Sequence, residues 1–217
     1  MKARVTKLIM VLLLLPLVTA AQEDICFSDA AEYTVGSRPN SICHADFDRD
    51  GDIDLATCNW TGPSITVLMN DGAGLFSSRT DYTVGINPHS IACGDINGDS
   101  YPDLVTTHYT GNQTVTVLLN NGDGTFGLPV IYPTNTDPRN VTCADFNGDG
   151  FDDVAHTAGG GTTVCVFLSA GDGVLDPKVD YPCGSKPVGI LSADLDGDSD
   201  IDIAVTNHLT SGTPLCQ

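Results

Sequence analysis

Residues 82–126 read YTVGINPHSIACGDINGDSYPDLVTTHYTGNQTVTVLLNNGDGTF. Two runs of alternating apolar and hydroxyl side chains, DLVTTHY and TVTVLLN, have the period of a half-buried strand rather than a helix. An acidic segment, DINGDSYPD, precedes the first, and NNGDGTF follows the second with glycines where a tight hairpin needs positive backbone dihedrals. The stretch recurs: Tyr33, Tyr82, Tyr132 and Tyr181 stand 49, 50 and 49 residues apart, opening YTVGSRPNSICHADF, YTVGINPHSIACGDI, YPTNTDPRNVTCADF and YPCGSKPVGILSADL.

Each copy runs in one order: apolar strand, acidic loop, second strand, short Gly/Thr loop, third strand, Gly-rich hairpin, and a fourth strand ending at the next tyrosine. No helical 3.6-residue pattern follows residue 21, so helical-pair solenoids of similar period are excluded. The prediction is an all-β chain of four-stranded propeller blades, about four of them, with copies from about 33, 82, 132 and 181 across residues 22–217.

The acidic loops are DFDRDGDID from Asp46, DINGDSYPD from Asp95, DFNGDGFDD from Asp145 and DLDGDSDID from Asp194. Asp or Asn falls at positions 1, 3, 5 and 9 of every loop, and the four hold 17 of the 28 acidic residues. Turns alone need one or two such residues, whereas calcium accepts six to eight oxygens. The spacing predicts side-chain ligands Asp46, Asp48, Asp50 and Asp54; Asp95, Asn97, Asp99 and Asp103; Asp145, Asn147, Asp149 and Asp153; and Asp194, Asp196, Asp198 and Asp202. The carbonyls of Asp52, Tyr101, Phe151 and Asp200 supply a fifth ligand, giving about four Ca²⁺ ions. An EF-hand would place a bidentate Glu at position 12, where this chain has Cys58, Thr107, Thr157 and Thr206. Magnesium, which keeps more of its waters, is the weaker candidate.

The D-x-[DN]-x-D-x-x-x-D loops, together with turns such as LLNNGDGTF, resemble the FG-GAP or VCBS repeats of integrin-α-like β-propellers from about Phe27 to the C-terminus. The resemblance implies calcium loops on one face, usually seven blades, and binding or adhesion more often than catalysis. This chain departs from it in blade number. Phe27 to Tyr33 matches the last strand of a blade, and TPLCQ stands where the first copy reads GPSITV. The expectation is a truncated or partial propeller, completed by further blades of a longer chain or by another protomer. A closed four-bladed ring clipped by Cys26 and Cys216 is the alternative.

Residues 1–21 combine a basic start (Lys2, Arg4, Lys7), an apolar run from Leu8 to Val18 and small residues at Ala20 and Ala21. This reads as a cleaved secretory signal, the run being too short to span a membrane. Its removal leaves 6 bases against 28 acids, which argues against nucleic acid and anionic membrane surfaces as partners. Eight cysteines in an exported chain permit disulfides, with Cys93 and Cys143 at one repeat position, and no C-x-x-C spacing occurs.

No G-x-S-x-G, H-E-x-x-H or P-loop is present, and nearly every clustered Asp belongs to an acidic loop, so the chain is read as non-catalytic. His44, His89, His108, His156 and His208 fall at scattered repeat positions, unlike a shared zinc site. Trp60, Tyr109 and His208 lie 14 residues past the first Asp of their loops, with Gly159 in the third copy; such a rim would stack on sugars, anchor a protein partner, or cap the blade core. Asn59, Asn112 and Asn140 head N-glycosylation sequons. The functional expectation is a secreted calcium-binding module for an extracellular protein or glycan, or a structural part of a larger secreted protein, an extracellular enzyme among the options.

Overall fold

The computed structural model describes residues 31–208 except 112 and 135; the signal segment, Cys26, Asn112 and Cys216 lie outside that set. Within it, fourteen strands and no helix are found. β1 (Pro39–Ala45), β2 (Asp54–Asn59), β3 (Ser64–Met69) and β4 (Ser78–Thr83) form an antiparallel sheet in sequence order. The second sheet holds β5 (Pro88–Gly94), β6 (Asp103–His108), β7 (Thr114–Leu118) and β8 (Val130–Pro133). The third repeats it with β9 (Pro138–Ala144), β10 (Asp153–Ala158), β11 (Thr163–Phe167) and β12 (Val179–Pro182). A fourth, of β13 (Pro187–Ala193) and β14 (Asp202–Asn207), is half a blade among the described residues.

The first strands of successive sheets, β1, β5, β9 and β13, lie side by side, and the described sheets do not close into a ring. Side chains stitch neighbouring blades along this row: Asn40 Nδ2 donates to His89 O (2.7 Å), and from the second strands Thr107 Oγ1 donates to Arg139 O (2.5 Å) and Thr157 Oγ1 to Val188 O (3.0 Å). The architecture is therefore the open, partial propeller that the repeat count implied.

The hydrophobic core sits in the seams between blades. Phe47, Ile65, Val67, Leu104, Leu118 and Phe126 fill the first seam, and Ile96, Val105, Val115, Val154, Phe167 and Leu175 the second. Burial of a Leu, Phe or Ile side chain stabilises by about 1.5–3 kcal/mol, so a lone blade, apolar on both faces, depends on its neighbours. The repeated tyrosines bridge the seams: the hydroxyls of Tyr82 and Tyr132 accept from Phe126 N (3.3 Å) and Leu175 N (3.2 Å), each in the next blade's hairpin.

Cys93 donates to His44 O (3.3 Å) and lies beside the Cys43 thiol, and Cys143 of the next blade packs against Gly94. Cys43, Cys58, Cys93, Cys143 and Cys165 form no disulfide. Asn59 is fully buried, its amide donating to Ser64 Oγ (3.1 Å) and Thr66 Oγ1 (3.0 Å), so its sequon cannot carry a glycan in the folded chain.

Candidate metal loops and an aromatic rim

The four acidic loops share one backbone design. Positions 4 and 6 are left-handed in each: Arg49 (φ 60°) and Gly51 (99°), Gly98 (72°) and Ser100 (70°), Gly148 (76°) and Gly150 (92°), Gly197 (85°) and Ser199 (81°). These two reversals curl the chain around the position-1 carboxylate. Asp46 accepts from Asp50 N (3.1 Å) and Gly51 N (3.0 Å), and Asp95 from Asp99 N (3.1 Å) and Ser100 N (2.8 Å). Asp145 and Asp194 do the same toward Gly150 N (2.8 Å) and Ser199 N (3.2 Å).

Carboxylate oxygens converge to within 4.8 Å of one another at Asp46, Asp48 and Asp50, and at Asp194, Asp196 and Asp202. This all-oxygen, anionic donor set suits a hard cation. In the second and third loops position 3 is an amide: Asn97 Nδ2 donates to Asp99 Oδ2 (2.8 Å) and Asn147 Nδ2 to Asp149 Oδ2 (2.9 Å), each lying against the acid at position 5.

Position 9 has a second task. Asp54, Asp103 and Asp153 are almost fully buried, and each clamps two backbone amides. Asp103 accepts from Ile96 N (3.0 Å) in its own loop and from Asn120 N (2.8 Å) in the hairpin; Asp54 holds Phe47 N (2.9 Å) and Asn70 N (2.7 Å), Asp153 Phe146 N (3.0 Å) and Ser169 N (2.8 Å). Burial pushes the Asp103 carboxyl up to about 7, against the opposing pull of its two amide donors, and raises Asp54 and Asp153 for the same reason.

The loops are wedged between blades by residues that the acid pattern did not flag. Asn120 Nδ2 donates to Phe47 O (2.8 Å) and Ser169 Oγ to Ile96 O (2.6 Å), tying each hairpin to the loop of the preceding blade. Arg49 lies over the Tyr101 ring (5.3 Å), and Asp152 Oδ2 accepts from Asp95 N (2.9 Å). The hairpin motifs NN-G-D-G and SA-G-D-G carried this signal, because their first residues, Asn120 and Ser169, stand where the neighbouring loop needs a donor.

At the other end of β1 and β2 lies the rim. Trp60 N, Tyr109 N, Gly159 N and His208 N donate to the carbonyls of Arg38, Asn87, Asp137 and Lys186, which establishes their equivalence. Trp60 and Tyr109 come together with ring centroids 5.9 Å apart, joined by His89 at 5.5 and 5.4 Å. Arg139 extends the row, its guanidinium 4.6 Å from the Tyr109 centroid and its Nη2 donating to Tyr109 Oη (2.9 Å). Gly159 makes room for it, since a Cβ there would stand 2.1 Å from Arg139 Nε. His208 is exposed and makes no ring contact among the described residues, so the three sequence-selected positions form a pair and an outlier. Burial lowers the His89 pKa, leaving that ring neutral. His108 is instead a buried core residue, bonding Ile86 O (3.0 Å) and Thr116 Oγ1 (2.9 Å).

Residues 46–106 and 101–156 match the FG-GAP-like repeat, together spanning half of the chain. The chain belongs to the FG-GAP-like repeat family. No curated protein matches this FG-GAP-like chain. Among solved structures, BBS1N, crystallised in complex with ARL6DN, is 9% identical with a TM-score of 0.54, covering 80% of this chain and 48% of that one, a likeness of fold alone. An Agrocybe aegerita lectin, described as recognising non-reducing terminal N-acetylglucosamine, is 26% identical with a TM-score of 0.48, over 65% of this chain and 37% of that one. The V. cholerae biofilm matrix protein Bap1 is 22% identical with a TM-score of 0.46, over 76% and 23%. The FG-GAP-like chain thus spans less than half the length of each.

Proposed function

We propose that this chain is a secreted, calcium-stabilised FG-GAP-like propeller segment that serves as a non-catalytic binding module for an extracellular glycan or protein. The observation that carries the reading is the division of labour between the two ends of the blades. The acidic loops concentrate oxygen donors and backbone clamps, a structural arrangement. The opposite rim presents the Trp60, His89, Tyr109 and Arg139 row, whose amphipathic rings and cation are the chemistry of recognition surfaces.

Asp46, Asp48 and Asp50 would hold one calcium and Asp194, Asp196 and Asp202 another, with the homologous Asp and Asn side chains serving the middle loops. Bound calcium supplies positive charge against an acidic chain and cross-links each loop. At millimolar calcium and extracellular-type affinities, each ion contributes about 1 kcal/mol. The signal-like residues 1–21 support export.

A second reading, a structural part of a larger secreted protein, is favoured by an apolar groove on the last described sheet. Beside β14 lies a groove of 490 Å³ lined by Val164, Val166, Tyr181, Ile203 and Val205 among others, where the other three blades place a third strand.

Calcium titration of the signal-free chain tests the proposal, following stoichiometry and melting temperature and then capture on a glycan array with and without chelator. About four ions and chelator-sensitive capture are expected. Absence of calcium binding by a folded chain would overturn the calcium assignment, and calcium binding without any ligand would favour the structural reading.

A further inference from the structure

Next to the rim row lies a pocket of 440 Å³ lined by Arg38, Pro39, Asn40, Trp60 and His89. Its size falls within the range of small-ligand sites. Its one charged side chain is Arg38. Among the described residues Arg79 and Lys178 pair with Asp81 and Asp180, whereas Arg38, like Arg49, Arg139 and Lys186, makes no ion pair. The equivalent residues of the next two blades are occupied. Asn87 Nδ2 donates to Thr110 Oγ1 (3.0 Å), and Asp137 Oδ1 accepts from Gln113 Nε2 (3.0 Å). Arg38 and its counterpart Lys186 in the fourth copy are exposed with no side-chain partner among the described residues, and of the two Arg38 lines this pocket.

The other walls specify more. Asn40 spends Nδ2 on His89 O (2.7 Å), which orients its amide and leaves Oδ1 as an open acceptor. Trp60 is half-buried and packed edge-on against His89 (71° between planes), so the indole is held at the pocket by the row behind it. The walls thus combine a guanidinium fork, a fixed carbonyl acceptor and an aromatic surface, with no acid among them. A carboxylate answers the first, a hydroxyl the second, and a saturated ring with an apolar C–H face the third.

We propose that this pocket binds a hexuronic acid unit of an acidic polysaccharide, with Arg38 on the carboxylate, Asn40 Oδ1 on a ring hydroxyl and Trp60 against the ring. The inference rests on the binding-module reading and names its ligand class. It also suits the charge distribution, because Arg38, Arg139 and Lys186 sit at this end of the inner strands against the single acid Asp137 at the four equivalent turn positions, away from the acidic loops that would repel a polyanion.

Trp60 is the only tryptophan, so its emission reports this pocket. The full signal-free chain, in calcium, is titrated with two oligosaccharides differing only in a terminal glucuronic acid or glucose. The expected result is a Trp60 emission shift with the acidic ligand at an affinity at least about tenfold tighter than with the neutral one. Added salt weakens the acidic ligand selectively. Arg38→Gln abolishes the preference with melting temperature unchanged, since the side chain is exposed and unpaired, and Asn40→Ala weakens both ligands. N-acetylglutamate, a carboxylate without a sugar ring, serves as control. Equal affinity for acidic and neutral sugars overturns the uronic acid assignment while leaving the binding-module reading standing. An equal response to N-acetylglutamate, or no Trp60 shift from a chain that captures glycans on the array, overturns the pocket assignment itself.

Discussion

The two ends of each blade are built from the same pair of strands and carry opposite chemistry. At one end β1 and β2 are joined by a loop whose first carboxylate gathers backbone amides, and 17 of the chain's 28 acids lie in the four such loops. At the other, about 17 Å away along a six-residue strand, aromatic rings, a neutral imidazole and bases replace them. The acid end repeats closely from blade to blade, whereas the rim differs in every copy: Trp60, Tyr109, Gly159, His208. Repetition marks what holds every blade, and variation marks what one blade does that others do not.

Removing calcium should break the acid end first. Four sites at about 1 kcal/mol each give a loss of roughly 4 kcal/mol, or about 8–16 °C in melting temperature, read by calorimetry with and without chelator. A chain whose melting ignores chelator would remove the contrast between the ends. Within one loop the contrast sharpens further. Asp103→Ala strands the amides of Ile96 and Asn120 in a buried setting and should cost about 3 kcal/mol even in chelator. Asp99→Ala, at an exposed position, should cost about 1 kcal/mol with calcium and much less without it. Equal behaviour of the two variants in chelator would mean that position 9 serves the ion alone.

The repeat made the sheets legible because its features are local: alternating strands, Asp spacing and hairpin glycines each act within a few residues. The acid loops were legible for the same reason, down to the first Asp of each. The double duty of Asp54, Asp103 and Asp153 was hidden, since it depends on which amides the hairpin brings back 16 or 17 residues later. At the rim Trp60 and Tyr109 could be aligned by counting, yet His89 and Arg139 lie at a different repeat position. They enter the row only because adjacent first strands bring neighbouring blades into contact. Arg139 takes space that Gly159 leaves, a complementarity between two positions that neither reveals alone.

Between the two ends, His156 on β10 is fully buried and burial pushes its pKa down to about 4. Above pH 6.5 the ring is neutral in both folded and unfolded chains and stability does not depend on it. Between 6.5 and about 4 the unfolded chain takes up a proton that the fold refuses, so stability falls with pH, by up to about 3 kcal/mol. His156→Thr, the residue found at the same place in the first two copies, should flatten this limb whatever its packing cost. Buried carboxyls with raised pKa values act in the opposite sense, but they are common to both proteins and cancel in the difference of their pH profiles. Parallel profiles would show that the ring accepts a proton in place.

The smallest effect separates strain at the two ends. Ser100 sits at φ 70° where the first and third loops carry Gly51 and Gly150, and its side chain makes no hydrogen bond among the described residues. A left-handed non-glycine residue costs about 1–2 kcal/mol, and glycine returns about 0.5–1 kcal/mol of that through the freedom it adds to the unfolded chain. Ser100→Gly should therefore stabilise by about 0.5 kcal/mol, a rise of 1–2 °C by the usual scaling, because the amide that holds Asp95 is retained. Arg38 is left-handed too, at φ 54°, and Arg38→Gly should give a similar gain in melting temperature while losing the acidic-sugar response. Strain at the acid end would then be a residue choice that can be relieved without loss, whereas at the rim the same left-handed turn also holds Asn87 (φ 52°) and Lys186 (φ 52°), so the turn belongs to the repeat and the guanidinium is what the first copy adds to it. If Arg38→Gly left the acidic-sugar response intact, that guanidinium would have no part in recognition.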